Sequence, residues 1–200
     1  MEIVKIRKDI SVRMTRPIVL FLARTKVTPN GLTWTGFVIT VIAAVLIGTG
    51  HLFIGGWVML VAAVFDMFDG ALARYINKAT KFGSALDSTL DRMSEAVILL
   101  GIMAWFVQSD SGWLAVLAAG TLVCSFMVSY IRARAEGLGL ELREGVFTRA
   151  ERVIVLALGL LLSRWNIVLV IALAFIMALS FFTAGQRLFL VWQKTKNQRL

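Results

Sequence analysis

The stretch LFIGGWVMLVAAVFDMFDGALARY, Leu52 to Tyr75, places two carboxylates and an arginine at one end of an apolar run long enough to cross a bilayer. About 20 such residues span the hydrocarbon core as a helix. Five further runs flank it: Leu32 to Thr49, Phe82 to Val107, Gly112 to Ala135, Arg149 to Ser163 and Asn166 to Trp192. The chain has 200 residues, of which 58% are hydrophobic. A water-soluble domain of that composition has too little polar surface to cover its apolar atoms, so lipid is the expected solvent. Runs of this length imply helices, because lipid satisfies no open strand edge, and the strict alternation of a barrel strand is absent. The expected fold is all-α and integral to the membrane, with six transmembrane helices and an N-terminal interfacial amphipathic helix. It forms one domain over residues 1–200, divided into a juxtamembrane segment at 1–30 and a six-helix bundle at 31–193.

The positive charge is distributed by side. Lys5, Arg7, Lys8, Arg13, Arg16, Arg24 and Lys26 precede the first span, and Arg74, Lys78 and Lys81 flank the turn after the second. More follow the fourth span and close the chain. The opposite turns, near His51, Asp110 and Arg164, carry little positive charge. The positive-inside rule then sets both termini in the cytoplasm, in a membrane expected to be prokaryotic. Ile10 to Ala23 mixes basic and apolar residues and suits a helix lying in the interface. A formal net charge of +9 interleaved with apolar spans fits anionic lipid and phosphate-bearing ligands, with no nucleic acid. Cys124 stands alone inside an apolar run, which excludes a disulfide framework or thiolate metal site within the chain. No N-terminal signal is expected to be removed.

Five acids fall inside spans two and three: Asp66, Asp69, Asp87, Asp91 and Glu95. Each unpaired charge at the centre of a spanning helix costs about 2.5 to 3.5 kcal/mol on insertion scales, so a cluster implies a compensating role. Asp66 and Asp69 are three apart and Asp87 and Asp91 four apart, which puts each pair on one helical face. About the turn near Lys78 the two pairs lie at matching depth. Four carboxylates without Cys or clustered His suit hard divalent cations such as magnesium, manganese or calcium. A purely structural account pairs the aspartates with Arg74 and Arg92, but leaves four acids against two arginines. Gly70, Ala73, Gly83, Ser84 and Ala85 form a small-residue surface beside them, fit either for a ligand or for helix packing.

Read together, Asp66-x2-Asp69-Gly70-x2-Ala73-Arg74-x8-Gly83-x3-Asp87-x3-Asp91 resembles the full signature of the CDP-alcohol phosphotransferases, with no position departing from it. The resemblance extends to Thr28-Pro29-Asn30 and to the six-span layout. It implies two divalent cations, Mg2+ or Mn2+, held by Asp66, Asp69, Asp87 and Asp91, with Asp91 as the general base. It implies a CDP-lipid site made of Pro29, Asp66, Asp69, Gly70, Ala73, Arg74, Gly83 and Asp87. The implied reaction moves the phosphatidyl group of CDP-diacylglycerol, or a related CDP-lipid, to an alcohol and releases CMP. Members of the family commonly pair as homodimers.

The acceptor is read from the second half. Arg132, Arg134, Arg149 and Arg152, with Glu136 and Glu151 beside them, resemble the phosphatidylinositol phosphate synthases and their archaeal counterparts, whose acceptor carries a phosphate. Arg132, Arg149, Arg152 and Arg187 are the expected clamp for a phosphorylated polyol, inositol 1-phosphate first. Where that subfamily has a further arginine, this chain has Val191 and Trp192, with Lys194 nearby. The alternatives are glycerol 3-phosphate as acceptor, making a phosphatidylglycerophosphate synthase, or a cation- or proton-coupled transporter. The transporter reading lacks a matching acidic pair in spans five and six.

Overall fold

The structure, a computed structural model, describes residues 18–25, 27–142 and 145–196. Its described residues form helices and no strands: α1 at 18–23, α2 Pro29–Gly48, α3 Leu52–Tyr75, α4 Lys81–Gln108, α5 Gly112–Gly137, α6 Arg149–Leu161 and α7 Asn166–Thr195. The all-helical expectation holds. The interfacial helix expected over Ile10 to Ala23 lies largely outside the described residues, as do Lys5, Arg7, Lys8, Arg13, Arg16 and Lys26.

Four helices, α2, α3, α5 and α7, are long and apolar enough to cross a membrane. The other two coincide with expected runs but do not show the length and apolarity of a span, for different reasons. α4 has ample length, but its first half carries Lys81, Asp87, Asp91, Arg92 and Glu95. α6 has only 13 residues, about 20 Å at the helical rise, against a hydrocarbon core of about 30 Å.

Capping fixes the helix starts that matter here. Thr28 accepts a hydrogen bond from Gly31 N at 3.1 Å and precedes Pro29 at the first helical position of α2. Thr80 does the same for α4, accepting from Gly83 N at 2.9 Å. At α6 the Glu151 carboxylate accepts from Thr148 N at 2.9 Å, half of a capping box. Glu151, read from the sequence as a companion of the arginines, thus sets where α6 begins. Arg149 and Arg152, three apart in its first turn, share one face.

α2 packs against both α3 and α4, while α3 and α4 hardly touch each other. α5 lies on α4 and α7, and α6 lies on α3 and α7. The buried core runs through Ala43, Ile47, Ile98, Ile102, Phe106, Leu160, Leu169 and Leu173. The α2–α4 contact is close because Gly101 presents no side chain to the Ala44 carbonyl. A methyl group there collides with backbone, so Gly101→Ala is expected to cost about 1 to 3 kcal/mol, read as a lower melting temperature in detergent. Large apolar side chains face outward, among them Phe181, Val116 and Trp113 at 73%, 71% and 70% exposure. Lipid suits that surface better than water.

Candidate active site

The separation of α3 from α4 leaves a cavity of about 230 Å³, lined by Pro29, Asn30, Thr33, Asp69, Gly70, Ala73, Arg74, Lys78, Ala79, Thr80, Gly83, Ser84 and Asp87. Seven of the eight residues expected to hold the CDP-lipid line this one space. Asp66 is the exception. It stands behind, in a narrow cleft of about 30 Å³ that also meets Glu95, Arg149 and Arg152. Thr33 and Lys78 line the cavity without having been assigned to it from the sequence; Thr33 sits one turn after Pro29, which was the available signal.

Glycines shape the walls. The Arg74 guanidinium lies over Gly70, where a Cβ would meet Nη1 at 3.4 Å. A Cβ on Gly36 would meet Asp66 Oδ1 at 2.7 Å, so that α2 glycine is what admits the Asp66 carboxylate between α2 and α3.

The four aspartates do not meet at one point, and among the described residues no three acidic or His/Cys side chains are arranged around a common metal position. Matching depth about the turn near Lys78 does not by itself bring the pairs together, because α3 and α4 stand apart and the carboxylates are spread across the gap. Asp69 is buried at 3% exposure; its Oδ1 accepts from Gly70 N and its Oδ2 has no hydrogen-bond partner. Asp66 and Asp91 turn instead to one arginine. Arg149 Nη2 donates to Asp66 Oδ2 at 3.0 Å, and Arg149 Nη1 lies 2.6 Å from Asp91 Oδ1. The pairing with Arg74 and Arg92 considered from the sequence is therefore replaced by Arg149, and Arg92 Nη1 caps the Ser88 carbonyl of its own helix. Hard divalent cations still fit the donor set by type, and the unpartnered Oδ2 of buried Asp69 is an oxygen open to one.

The four arginines expected to clamp the acceptor phosphate are divided. Arg152, 2% exposed, is held by Glu95 through Nε to Oε1 at 2.6 Å and Nη2 to Oε2 at 2.8 Å. Arg187, 4% exposed, donates Nη1 to the Val128 carbonyl at 2.8 Å, and Gly145 leaves room for its guanidinium, since a Cβ there would meet Nη2 at 2.7 Å. Arg132 is exposed and pairs with Glu136 at 2.8 Å. Arg187 lies within electrostatic reach of Arg132 and Arg152, whereas Arg149 has crossed to the aspartates. Arg149 Nε and Arg152 Nη1 are buried donors without a partner, available to an anion. Lys194 donates to the Glu141 carbonyl at 2.7 Å, tying α7 to the loop before α6. Glu95 is the residue the sequence reading left without a role, although it lies one turn beyond Asp91 on the same face.

The family model for CDP-alcohol phosphatidyltransferase matches residues 26–188, a span containing the whole cavity and every arginine above. The chain belongs to the CDP-alcohol phosphatidyltransferase family. Among curated members it is 40% identical over 170 residues to the archaetidylinositol phosphate synthase of Methanothermobacter thermautotrophicus, covering 82% of this chain and 83% of the relative. It is 38% identical over 156 residues to the phosphatidylinositol phosphate synthase of Mycobacteroides abscessus, covering 76% and 70%. Among solved structures it matches the Mycobacterium tuberculosis phosphatidylinositol phosphate synthase with CDP-DAG bound at 34% identity and a TM-score of 0.86, over 94% of this chain and 98% of that one. The same enzyme in complex with manganese and citrate matches at a TM-score of 0.85 and 34% identity, over 93% of each chain.

Proposed function

We propose that this phosphatidyltransferase joins the phosphatidyl group of CDP-diacylglycerol, or a related CDP-lipid, to inositol 1-phosphate and releases CMP. The observation that carries this reading is the pairing of two sites. One cavity between α3 and α4 gathers seven of the eight residues of the CDP-lipid set, and Arg149 and Arg152, near Asp66 behind it, each carry a buried, unpartnered donor. Relatives named phosphatidylinositol phosphate synthase and archaetidylinositol phosphate synthase, at 38 and 40% identity, support the choice of acceptor.

In this reading Pro29, Gly70, Ala73, Arg74 and Gly83 enclose the cytidine diphosphate, Arg74 supplying charge to it. Asp66, Asp69, Asp87 and Asp91 would hold two divalent cations, magnesium or manganese, which offset negative charge on the diphosphate. Arg132, Arg149, Arg152 and Arg187 bind the acceptor phosphate. Asp91 accepts the proton of the acceptor hydroxyl as its oxygen attacks the lipid-bearing phosphorus, and the bond from that phosphorus to CMP breaks. Asp91 does not line the CDP cavity, which suits a base that serves the acceptor.

The same reading includes six spans, with α4 and α6 completing the bundle against their neighbours, both termini cytoplasmic, and pairing of two copies. A six-span path brings the charged first half of α4 and the start of α6 to the cytoplasmic face, where water-soluble acceptor meets membrane-borne donor.

The test is CMP release from CDP-diacylglycerol with magnesium or manganese across inositol 1-phosphate, glycerol 3-phosphate, inositol, serine and glycerol. Inositol 1-phosphate is expected to be fastest and free inositol poor. Preference for glycerol 3-phosphate reassigns the acceptor while keeping the clamp. Efficient use of free inositol removes the clamp, and no acceptor-dependent release at all turns the reading toward transport.

A further inference from the structure

Arg149 starts α6, yet its guanidinium contacts carboxylates on two other helices, Asp66 on α3 and Asp91 on α4. Those helices hardly touch, so the fork of one arginine spans a gap that the backbones leave open. Both aspartates belong to the set proposed above to hold divalent cations. Asp66 Oδ2 accepts a charge-assisted hydrogen bond from Arg149 at 3.0 Å, and Asp91 Oδ1 stands in ion contact with it at 2.6 Å, so both oxygens are turned toward the guanidinium. A dication approaching either oxygen meets a fixed positive charge at close range. Asp66 and Asp91 face this guanidinium, while Asp69 and Asp87 line the cavity wall.

We infer that Arg149 is a displaceable counter-ion of the carboxylate cluster: cations and its guanidinium compete for Asp66 and Asp91, and cation binding releases Arg149 toward the acceptor. The inference rests on the metal role of the aspartates in the proposed function. Arg149 thus has two anionic partners in turn, carboxylates first and acceptor phosphate second, and its Nε, buried and unpartnered, is a donor still to be satisfied. Arg152, three residues on, has no such freedom, because Glu95 engages two of its nitrogens. One face of α6 therefore carries a fixed arginine and an exchangeable one.

The competition has a sign that an ordinary supporting ion pair lacks. Removing a residue that holds two metal ligands in place would weaken cation binding; removing a competitor strengthens it. Mn2+ binding to the full-length protein in detergent, followed by the electron paramagnetic resonance signal of free Mn2+, reads this without any turnover. Arg149→Ala is expected to bind Mn2+ on the order of tenfold more tightly than wild type, since at least one charge-assisted bond no longer has to be broken. Arg149→Lys keeps the charge but loses the planar fork that engages two carboxylates at once, so it is expected to tighten binding severalfold. Arg164→Ala, at the opposite end of the bundle, is the control expected to match wild type. Equal or weaker Mn2+ binding in both Arg149 variants overturns the inference. Tightening in Arg149→Ala with none in Arg149→Lys also overturns it, by reducing the effect to the general field of a positive charge. Failure of the wild type to bind Mn2+ instead overturns the metal reading beneath it. Arg149→Lys retains a cation among the acids and keeps the test informative if Arg149→Ala does not fold.

Discussion

Asp91→Asn is expected to lower turnover by about 10² to 10⁴, the usual contribution of a general base, while CDP-lipid binding stays within a few-fold of wild type. The separation of effects follows from position. Asp69 and Asp87 line the CDP cavity, whereas Asp91 lies outside its lining and pairs with Arg149. The amide of Asn preserves the size of the side chain and keeps an oxygen facing Arg149, but it cannot take up a proton from a hydroxyl. Asp69→Asn provides the contrast. It alters a deeply buried aspartate with an unpartnered oxygen, and its loss should appear in donor binding itself. Single-turnover CMP release together with equilibrium binding of CDP-diacylglycerol separates the two. Near-normal turnover in Asp91→Asn would remove it from the proton transfer.

The helices were legible because lipid simplifies the code: every apolar run marks a helix, and each expected run overlaps an observed one. Membrane crossing was less legible where charge interrupts the run. α4 reads as a span by length, but Asp87, Asp91, Arg92 and Glu95 depress its hydropathy; α6 ends at Leu161, where the apolar pattern continues through Leu162 and Ser163 as a turn. What hydropathy cannot encode is which helices touch. The pairing of α2 with both α3 and α4 depends on Gly36, Gly101 and the Ala43–Ala44 surface, small residues whose meaning emerges only when the helices are assembled.

The same limit divides the site. Asp69, Gly70, Ala73, Arg74, Gly83 and Asp87 come together in one cavity because the short turn between Tyr75 and Lys81 fixes the relation of α3 to α4, and Pro29 joins them at the start of α2, which packs on both helices. The arginines come from helices joined to that pair by longer routes, and spacing says nothing about their partners. Arg149 and Arg152 are equivalent in sequence, each a cation in the first turn of α6. In the structure one bridges Asp66 and Asp91 and the other is buried on Glu95. The signal that was present, one arginine every three residues facing one acid every four, identifies complementary faces but not the register between them.

That register makes Glu95 the most consequential residue outside the family signature. The Arg152 guanidinium is 2% exposed and the Glu95 side chain 10%, with two hydrogen bonds between them. Breaking a buried pair by removing one partner commonly costs about 3 to 5 kcal/mol, because the survivor is left charged and dry. Glu95→Ala is therefore expected to be severely destabilised, shown by a large fall in melting temperature and loss of monodisperse protein in detergent. Glu95→Gln retains an acceptor and the shape of the side chain and should lose less. The decisive variant removes both charges: Glu95→Gln with Arg152→Met leaves no isolated ion in the core and should regain most of the stability. Restored stability then exposes function. If Arg152 also reaches the acceptor phosphate through Nη1, its one unpartnered buried nitrogen, the double variant should fold, bind CDP-diacylglycerol normally and show a KM for inositol 1-phosphate raised about tenfold or more. Wild-type stability in Glu95→Ala would show that the pair is not holding α6 to α4. A double variant with an unchanged acceptor KM would leave Arg152 a purely structural residue and confine the phosphate clamp to Arg149, Arg187 and Arg132.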